Sequence, residues 1–293
     1  MSGTVVVVGS ANADIVHLVE RIPRPGETVQ SIGVSIHPGG KGLNQATAAS
    51  RAGGRSVLIA AVGEDRNAEM LRRAASDAGV DVTRLRKVSA PTGVAVIAVD
   101  PAGENTIIVQ SGANGLLAEL ATEDIAAIQS AAVVLCQLEV PIDLVEQVAR
   151  LTSNGIQTLI LNPSPVRELP SGLLSRVDIL VVNEHEAQRL EVETLDLPCV
   201  IITRGSAGAE IRRSGKLAIA IPARPAKVVD STGAGDTFAG VLATEIARGT
   251  DIEHAVTRAI VAASLSVERE GAVPSMPSQS EIDDATDRLA VTN

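Results

Sequence analysis

The chain turns on one stretch, Asp230-Ser231-Thr232-Gly233-Ala234-Gly235-Asp236-Thr237-Phe238-Ala239-Gly240. An apolar, strand-like run ends before it at Val228-Val229, and a helix-like run, Phe238 through Ala247, follows. Glycines on either side of Ala234 let the backbone turn tightly and bring bare N–H groups close to a ligand. Those groups open a helix, where the dipole and the unpaired donors favour an anion. Asp236 then has two readings. It can cap the helix, the commonest reason for an aspartate at a helix start. It can also be a base beside a site that stabilises a phosphoryl group in flight. A cap needs no Gly-Ala-Gly before it and a phosphate cradle does, so the second reading is preferred.

Working outward, composition limits the possibilities. A chain of 293 residues holds one large domain or two ordinary ones. Apolar residues make up 45%, enough for a sizeable core without covalent staples. One Phe stands beside no Trp and no Tyr, which argues against single-stranded nucleic-acid binding, since that leans on aromatic stacking. A net charge of −10 disfavours nucleic acid and anionic membrane surfaces as partners. Cys136 and Cys199 each sit in an apolar run and read as buried thiols, with neither a disulfide framework nor metal-ligand spacing. The start, Met1-Ser2-Gly3-Thr4, carries no charged side chain, and Val5–Val8 is too short for a leader. No run approaches a membrane span, so a cytoplasmic chain is expected.

Thr4–Val8 reads as a buried strand meeting a loop at Gly9-Ser10, with Asn12 and Asp14 beyond its C-terminal end. Ile15–Val19 and Thr28–Ile36 are strand-like, separated by Pro23, Pro25 and Gly26, and suggest a hairpin apart from the main sheet. Next, His37-Pro38-Gly39-Gly40-Lys41-Gly42-Leu43-Asn44-Gln45-Ala46 runs into an Ala-rich helix ending near Gly53-Gly54. It is no Walker A loop, because Gly42 follows Lys41 where Ser or Thr belongs. Gly93–Val99 and Asn105–Gln110 form a second hairpin able to join the first into a small sheet. Strands at Ser56–Val62, Val133–Leu138, Thr158–Leu161, Ile179–Val182 and Val200–Thr203 alternate with helices at Asn67–Ala78, Ile142–Thr152 and Glu184–Leu190. A hairpin over Ala209–Ile221 and helices at Glu253–Val267 and Glu281–Leu289 complete the pattern. Such alternation argues for an α/β, doubly wound, mostly parallel central sheet flanked by helices. Polar residues recur where strands end: Glu139, Asn162, Asn183 with Glu186, and Thr203 before Gly205. Together they suggest one shared ligand edge.

With these residues assembled, the sequence resembles the ribokinase-like (PfkB) sugar kinase family, nearly end to end from Val5 to about Pro277. The most specific parts are Gly39-Gly40-Lys41-Gly42-x-Asn44-Gln45-Ala46 and Asp230 through Phe238. Gly9-Ser10-x-Asn12-x-Asp14, Asn162-Pro163-Ser164-Pro165, Asn183-Glu184-x-Glu186-Ala187 and Thr203-x-Gly205-x-x-Gly208 support it. The resemblance implies a single domain over residues 1–293 with a discontinuous β lid at about 12–36 and 89–111. It implies ATP-dependent phosphorylation of D-ribose to D-ribose 5-phosphate, with Asp236 as base and Gly233, Ala234 and Gly235 as anion hole. Asn12, Asp14, Gly40, Lys41, Gly42, Asn44 and Glu139 align with the sugar-binding set, Asp236 with them. Asn183, Thr203, Arg204, Gly205, Ser206, Gly208 and Gly235 align with nucleotide contacts, and Glu186 with the residue that organises Mg²⁺. A K⁺ site is implied beside the hole, from Asp230 and Ser275 side chains and the Thr232, Ser266, Arg269 and Gly271 carbonyls. A homodimer through the lid is implied as well. The alternatives are a kinase of another pentose, sugar or nucleoside, or a non-catalytic sensor on the same fold. Two departures stand out: only Glu184–Pro198 separates two strands where the family usually inserts a helix, and Ala259 stands where Asn or His commonly lies near adenine.

Overall fold

The computed structural model describes residues 3–152 and 157–292; Met1 and Ser2 of the uncharged start lie outside the described residues. Strand β1 (Thr4–Val8) buries all four of its valines. Only a sheet covered on both faces can accept such a strand. The chain then leaves this sheet for β2 (Asn12–Val19) and β3 (Ser31–Gly39), which pair antiparallel. It returns through α1 (Lys41–Arg51), β4 (Arg55–Val62), α2 (Arg66–Asp77) and the short β5 (Leu85–Lys87). A second excursion supplies β6 (Gly93–Val99) and β7 (Asn105–Gln110). From α3 (Thr122–Ser130) onward the alternation is regular: β8 (Val133–Gln137), α4 (Ile142–Leu151), β9 (Thr158–Asn162), α5 (Ser171–Leu174), β10 (Ile179–Asn183), α6 (Glu184–Arg189) and β11 (Cys199–Thr203). The hairpin β12 (Ala209–Arg213) and β13 (Ile219–Ile221) follows, then α7 (Ala234–Ala247), α8 (Ile252–Ser266), α9 (Ala272–Ser275) and α10 (Gln279–Thr292).

The nine-stranded sheet runs β13-β12-β11-β10-β9-β8-β1-β4-β5. Its pairs are parallel except at the β11-β12-β13 edge. Alternate strand residues feed two cores, as the two-residue strand period requires. Val5, Leu135, Val181 and Ile201 face α1, α2, α7 and α8, whereas Val6, Val134, Leu180 and Ile202 face α3 to α6. This is the doubly wound arrangement expected. Cys136 and Cys199 are free, buried, and on opposite faces of the sheet. Burial pushes their thiols up to about 12 and about 11, so neither is a ready nucleophile. Among the described residues no helix is long and apolar enough to cross a membrane.

The two excursions join in a separate four-stranded sheet, β3-β2-β6-β7. Its register aligns Ile36, Ile15, Val96 and Ile108 across one face. Ile32, Val34, Ile36, Val96 and Ile108 are all exposed.

Three details depart from the sequence reading. Val228-Val229 forms no strand: both are exposed, and Val229 and Asp230 donate only to the Val267 carbonyl at the end of α8. These two amides are committed to the end of α8 and not to the open edge of β13. Strand β3 begins at Ser31 rather than Thr28 and continues to Gly39, because Gly39 pairs with Asn12. Strand β2 correspondingly starts at Asn12 rather than Ile15 and takes in Asp14. Finally, the connection from β10 to β11, short as it is, still covers these strands. Helix α6 with Val192, Leu195 and Leu197 buries Val200 and Ile202.

Candidate active site

The strand ends and two helix starts converge on Asp236. Gly233 sits at φ 75°, in the left-handed region, and leads into α7, so Asp236 falls in the first turn. Its carboxylate makes no capping bond. Instead Asn44 Nδ2 donates to Oδ2 at 2.9 Å and Gln45 Nε2 to Oδ1 at 2.9 Å. The Ala234 amide turns back to the Ser231 carbonyl at 3.2 Å. Those of Gly233, Gly235 and Asp236 have no acceptor among the described residues. The two free amides of the first turn sit where the dipole favours negative charge.

Helix α1 starts the same way, at Gly40 with φ 87°. A side chain at Gly40 would collide with the Ala11–Asn12 backbone, and one at Gly42 with Gly9–Ser10, so both glycines are required by close approach. The open amides of this turn are shared between Glu139 and Ser10. Its Oε2 accepts from Lys41 N at 3.1 Å, Ser10 Oγ at 2.5 Å and Asn12 Nδ2 at 3.4 Å. Ser10 in turn accepts from the Gly42 amide through its hydroxyl and from Leu43 N through its carbonyl. Asn114, 1% exposed, donates to Asn12 Oδ1 at 2.7 Å and accepts from Ala11 N at 2.9 Å, which fixes the Asn12 amide. The Asp14 carboxylate has no hydrogen-bond partner among the described residues. Burial first, then the charges of Glu139 and Asp236, push its pKa up to about 7, against the pull of Lys41. Burial disfavours the Lys41 ammonium, but the carboxylates of Asp236, Glu139, Glu186 and Asp14 outweigh it and hold its pKa above the ordinary value.

Two hollows meet at Lys41. One, of about 390 Å³, is lined by Asn12, Lys41, Asn114, Glu139, Val109 and Arg167 among others. The second, of about 140 Å³, has Lys41, Asn162, Asn183, Glu186, Gly235 and Asp236 in its walls. Asn183 and Glu186 clamp each other at the start of α6: Asn183 Oδ1 accepts from Glu186 N at 2.8 Å and Glu186 Oε2 from Asn183 N at 2.9 Å. Thr203 lines the same hollow. The backbone of the Arg204–Gly208 loop closes through Arg204 N to the Gly208 carbonyl at 2.7 Å, while the Arg204 guanidinium pairs with Glu210 at 2.7 Å. Ser206 lies at the exposed tip. Ala259 is fully buried in the core and lines neither hollow.

The residues matched to a cation site gather between α7 and α9. Asp230 accepts from Thr232 N and Gly271 N, each at 2.8 Å. Burial raises its pKa, but these bonds outweigh burial and hold it below the usual carboxylate value. The Ser275 hydroxyl donates to the Ala272 carbonyl at 2.8 Å. The Ser266 carbonyl accepts from Arg269 N at 3.1 Å, and the Arg269 side chain pairs with Glu281.

Sequence reasoning left Ser10, Gln45, Asn114 and Gln137 out of the candidate set. Gln45 stood within a quoted motif, and that was the only signal for it.

Residues 2–279 match the family described as pfkB family carbohydrate kinase. The chain is 36% identical to the ribokinase of Haemophilus influenzae over 299 residues, spanning 96% of this chain and 97% of that one. It is 34% identical to the ribokinase of Bacillus subtilis, across 95% and 97%. A solved structure of Arabidopsis thaliana ribokinase complexed with ribose and ATP superposes with a TM-score of 0.91 at 33% identity, over 98% of this chain and 99% of that chain. A family match across nearly the whole length, on a fold whose strand ends converge on one carboxylate, leads to one conclusion: the chain belongs to the pfkB family of carbohydrate kinases.

Proposed function

We propose that this chain transfers the terminal phosphoryl group of ATP to the 5-hydroxyl of D-ribose, giving D-ribose 5-phosphate and ADP. The observation that carries it is the Asp236 carboxylate, clamped by two amides and beside Lys41, where the larger hollow meets the smaller. Asn12, Asp14, Lys41, Asn44 and Glu139 present short donors and acceptors, which a polyhydroxylated sugar needs because an unmatched buried polar group is costly. Asn44 Oδ1 is buried without a partner among the described residues, an acceptor suited to a sugar hydroxyl. Asp236 accepts the 5-hydroxyl proton as the oxygen attacks the terminal phosphorus and the bond from that phosphorus to the ADP oxygen breaks; Asp236 afterwards releases the proton to solvent. The Gly235 and Asp236 amides and the Lys41 ammonium stabilise charge on the phosphoryl oxygens. Phosphoryl transfer is mainly positioning and charge stabilisation, so this protein chemistry suffices.

The smaller hollow suits the nucleotide's phosphates, with Asn183, Glu186 and Thr203 in its walls and the loop to Gly208 running on from Thr203. Mg²⁺ fits there because it binds few carboxylates and keeps its waters, and Glu186 keeps Oε1 free. When bound, Mg²⁺ supplies neutralising charge for the phosphates. K⁺ would be held by Asp230 and by the carbonyls near Gly271, ordering the loop into α7. The four-stranded sheet reads as a lid over the sugar, its exposed apolar face covered by a second copy, in one 1–293 domain working in the cytoplasm.

Initial rates with D-ribose, 2-deoxy-D-ribose, D-fructose and adenosine test the substrate, with K⁺ exchanged for Na⁺ at constant ionic strength. D-ribose is expected to lead and K⁺ to raise kcat. Adenosine or fructose turning over faster than ribose would overturn the assignment, and indifference to the exchange would remove K⁺. Asp236→Asn should lower kcat by about 10²- to 10⁴-fold while ribose still binds. Retention of a tenth of the activity or more would discard Asp236 as the base.

A further inference from the structure

Asp236 is held by more than its immediate neighbours. Gln45, fully buried, uses both amide hydrogens: one goes to Asp236 Oδ1 at 2.9 Å and the other to Asn162 Oδ1 at 3.1 Å. Its Oε1 accepts from Gln137 Nε2 at 2.6 Å. Gln137 is likewise fully buried, at the end of β8, and its amide lies where a side chain on Gly9 would have to be. Asn162, at the end of β9, donates through Nδ2 to the Val181 carbonyl of β10 at 2.9 Å.

A backbone carbonyl can only accept, and that fact gives the chain of amides a direction. Asn162 must offer its NH₂ to Val181, so its oxygen faces Gln45. Gln45 must then turn its NH₂ toward Asn162 and Asp236, so its oxygen faces Gln137. Gln137 completes the order by donating, its own Oε1 buried with no partner among the described residues. Reversing any member would set two oxygens or two NH₂ groups against each other in a buried place, where an unmatched polar group is costly.

We propose that Gln45, oriented by Gln137 and Asn162, is a positioning residue for phosphoryl transfer. This one-way amide chain, fixed to the strand ends, aims the Asp236 carboxylate at the sugar hydroxyl. The inference rests on Asp236 being the base. Gln137 lines neither hollow and is not among the residues that hydrogen-bond to Asp236, so its influence has to pass through Gln45.

Steady-state kinetics of four variants test it. Gln45→Met keeps the volume and removes the donors; kcat should fall by about 10- to 100-fold, the cost of misplacing a reacting group, with KM for ribose within about threefold. Gln137→Glu is near-isosteric and remote from Asp236. Protonated, the introduced carboxyl donates to Gln45 as the amide does; ionised, it only accepts and favours the reversed chain. The kcat of Gln137→Glu should therefore fall as pH rises, whereas Gln137→Met should lose a constant factor at every pH. Superimposable pH profiles for the two Gln137 variants would overturn the proposal, even if Gln45→Met does not fold. So would a Gln45→Met enzyme with kcat within about twofold of wild type while Asp236→Asn is inactive. An active Asp236→Asn would instead remove the base assignment, and this inference with it.

Discussion

Asp14 is the residue whose charge the site disturbs most visibly. Its carboxylate occupies the space where a side chain on Gly39 would stand, and burial beside Glu139 and Asp236 lifts its pKa to about 7. The folded chain therefore keeps a proton between the ordinary value of 3.8 and about 7 that the unfolded chain has released. Stability contributed by this group is full below 3.8 and declines as pH rises through that window. Sugar hydroxyls, by contrast, need the ionised form as an acceptor. KM for ribose is expected to climb as pH falls below about 7, approaching tenfold per unit once the competent fraction is small. Asp14→Asn should flatten that dependence, raise KM at alkaline pH and raise the alkaline Tm. Ribose KM against pH, with melting curves for both proteins, measures this. A wild-type KM constant across the window would show that Asp14 is not the acceptor.

At the level of elements, the Arg204–Gly208 loop gets its stiffness from charge. Glu210 on β12 is 9% exposed, and its two oxygens take Arg204 and Arg212, while Arg212 also reaches Glu193. Removing one member of a buried pair leaves the others uncompensated, at a cost of about 3–5 kcal/mol when burial is complete and less here, where both arginines are about one-third exposed. Glu210→Gln should lower Tm and raise KM for ATP several-fold, with KM for ribose unchanged. An unchanged KM for ATP would mean the loop holds its shape without Glu210.

The elements that the sequence made legible are those whose cause is local. Glycine before a helix, β-branched runs and polar strand ends each state their own physics, and β1, α1, β8 to β11 and α7 fall where those signals put them. Val228-Val229 misled because β-branching shows what suits a strand and not where the backbone amides find their acceptor, here the Val267 carbonyl. Thr28 misled because a register is set by cross-strand partners, here Asn12 with Gly39. Gln137 was silent, and Gln45 legible only through its motif, for a related reason. Their partners lie 191 and 92 positions away, and an isolated glutamine looks the same in a core and on a surface.

Over the whole molecule, the exposed apolar groups are concentrated in the small sheet. Ile32, Val34, Ile36, Val96 and Ile108 form a face that a monomer would leave to water, and β3 and β7 are open edges. A homodimer joined through this sheet covers both liabilities. Val34→Asp, at 63% exposure, should be harmless in a monomer and disruptive in a dimer. Light scattering at micromolar concentration is expected to give a dimeric mass for wild type and a monomeric one for Val34→Asp, with ribose KM raised because Asn12 and Asp14 lie in the same sheet. A monomeric wild type would refute the arrangement.

Phe238, the one phenylalanine in the chain, is buried in the core two positions beyond Asp236. With no Trp, no Tyr and no disulfide between Cys136 and Cys199, the protein is nearly transparent in the near ultraviolet. Adenine bound to it can be counted directly from its own absorbance, without a protein background to subtract. For the same reason, a tryptophan introduced beside Val109 would report alone on the sugar hollow as it fills.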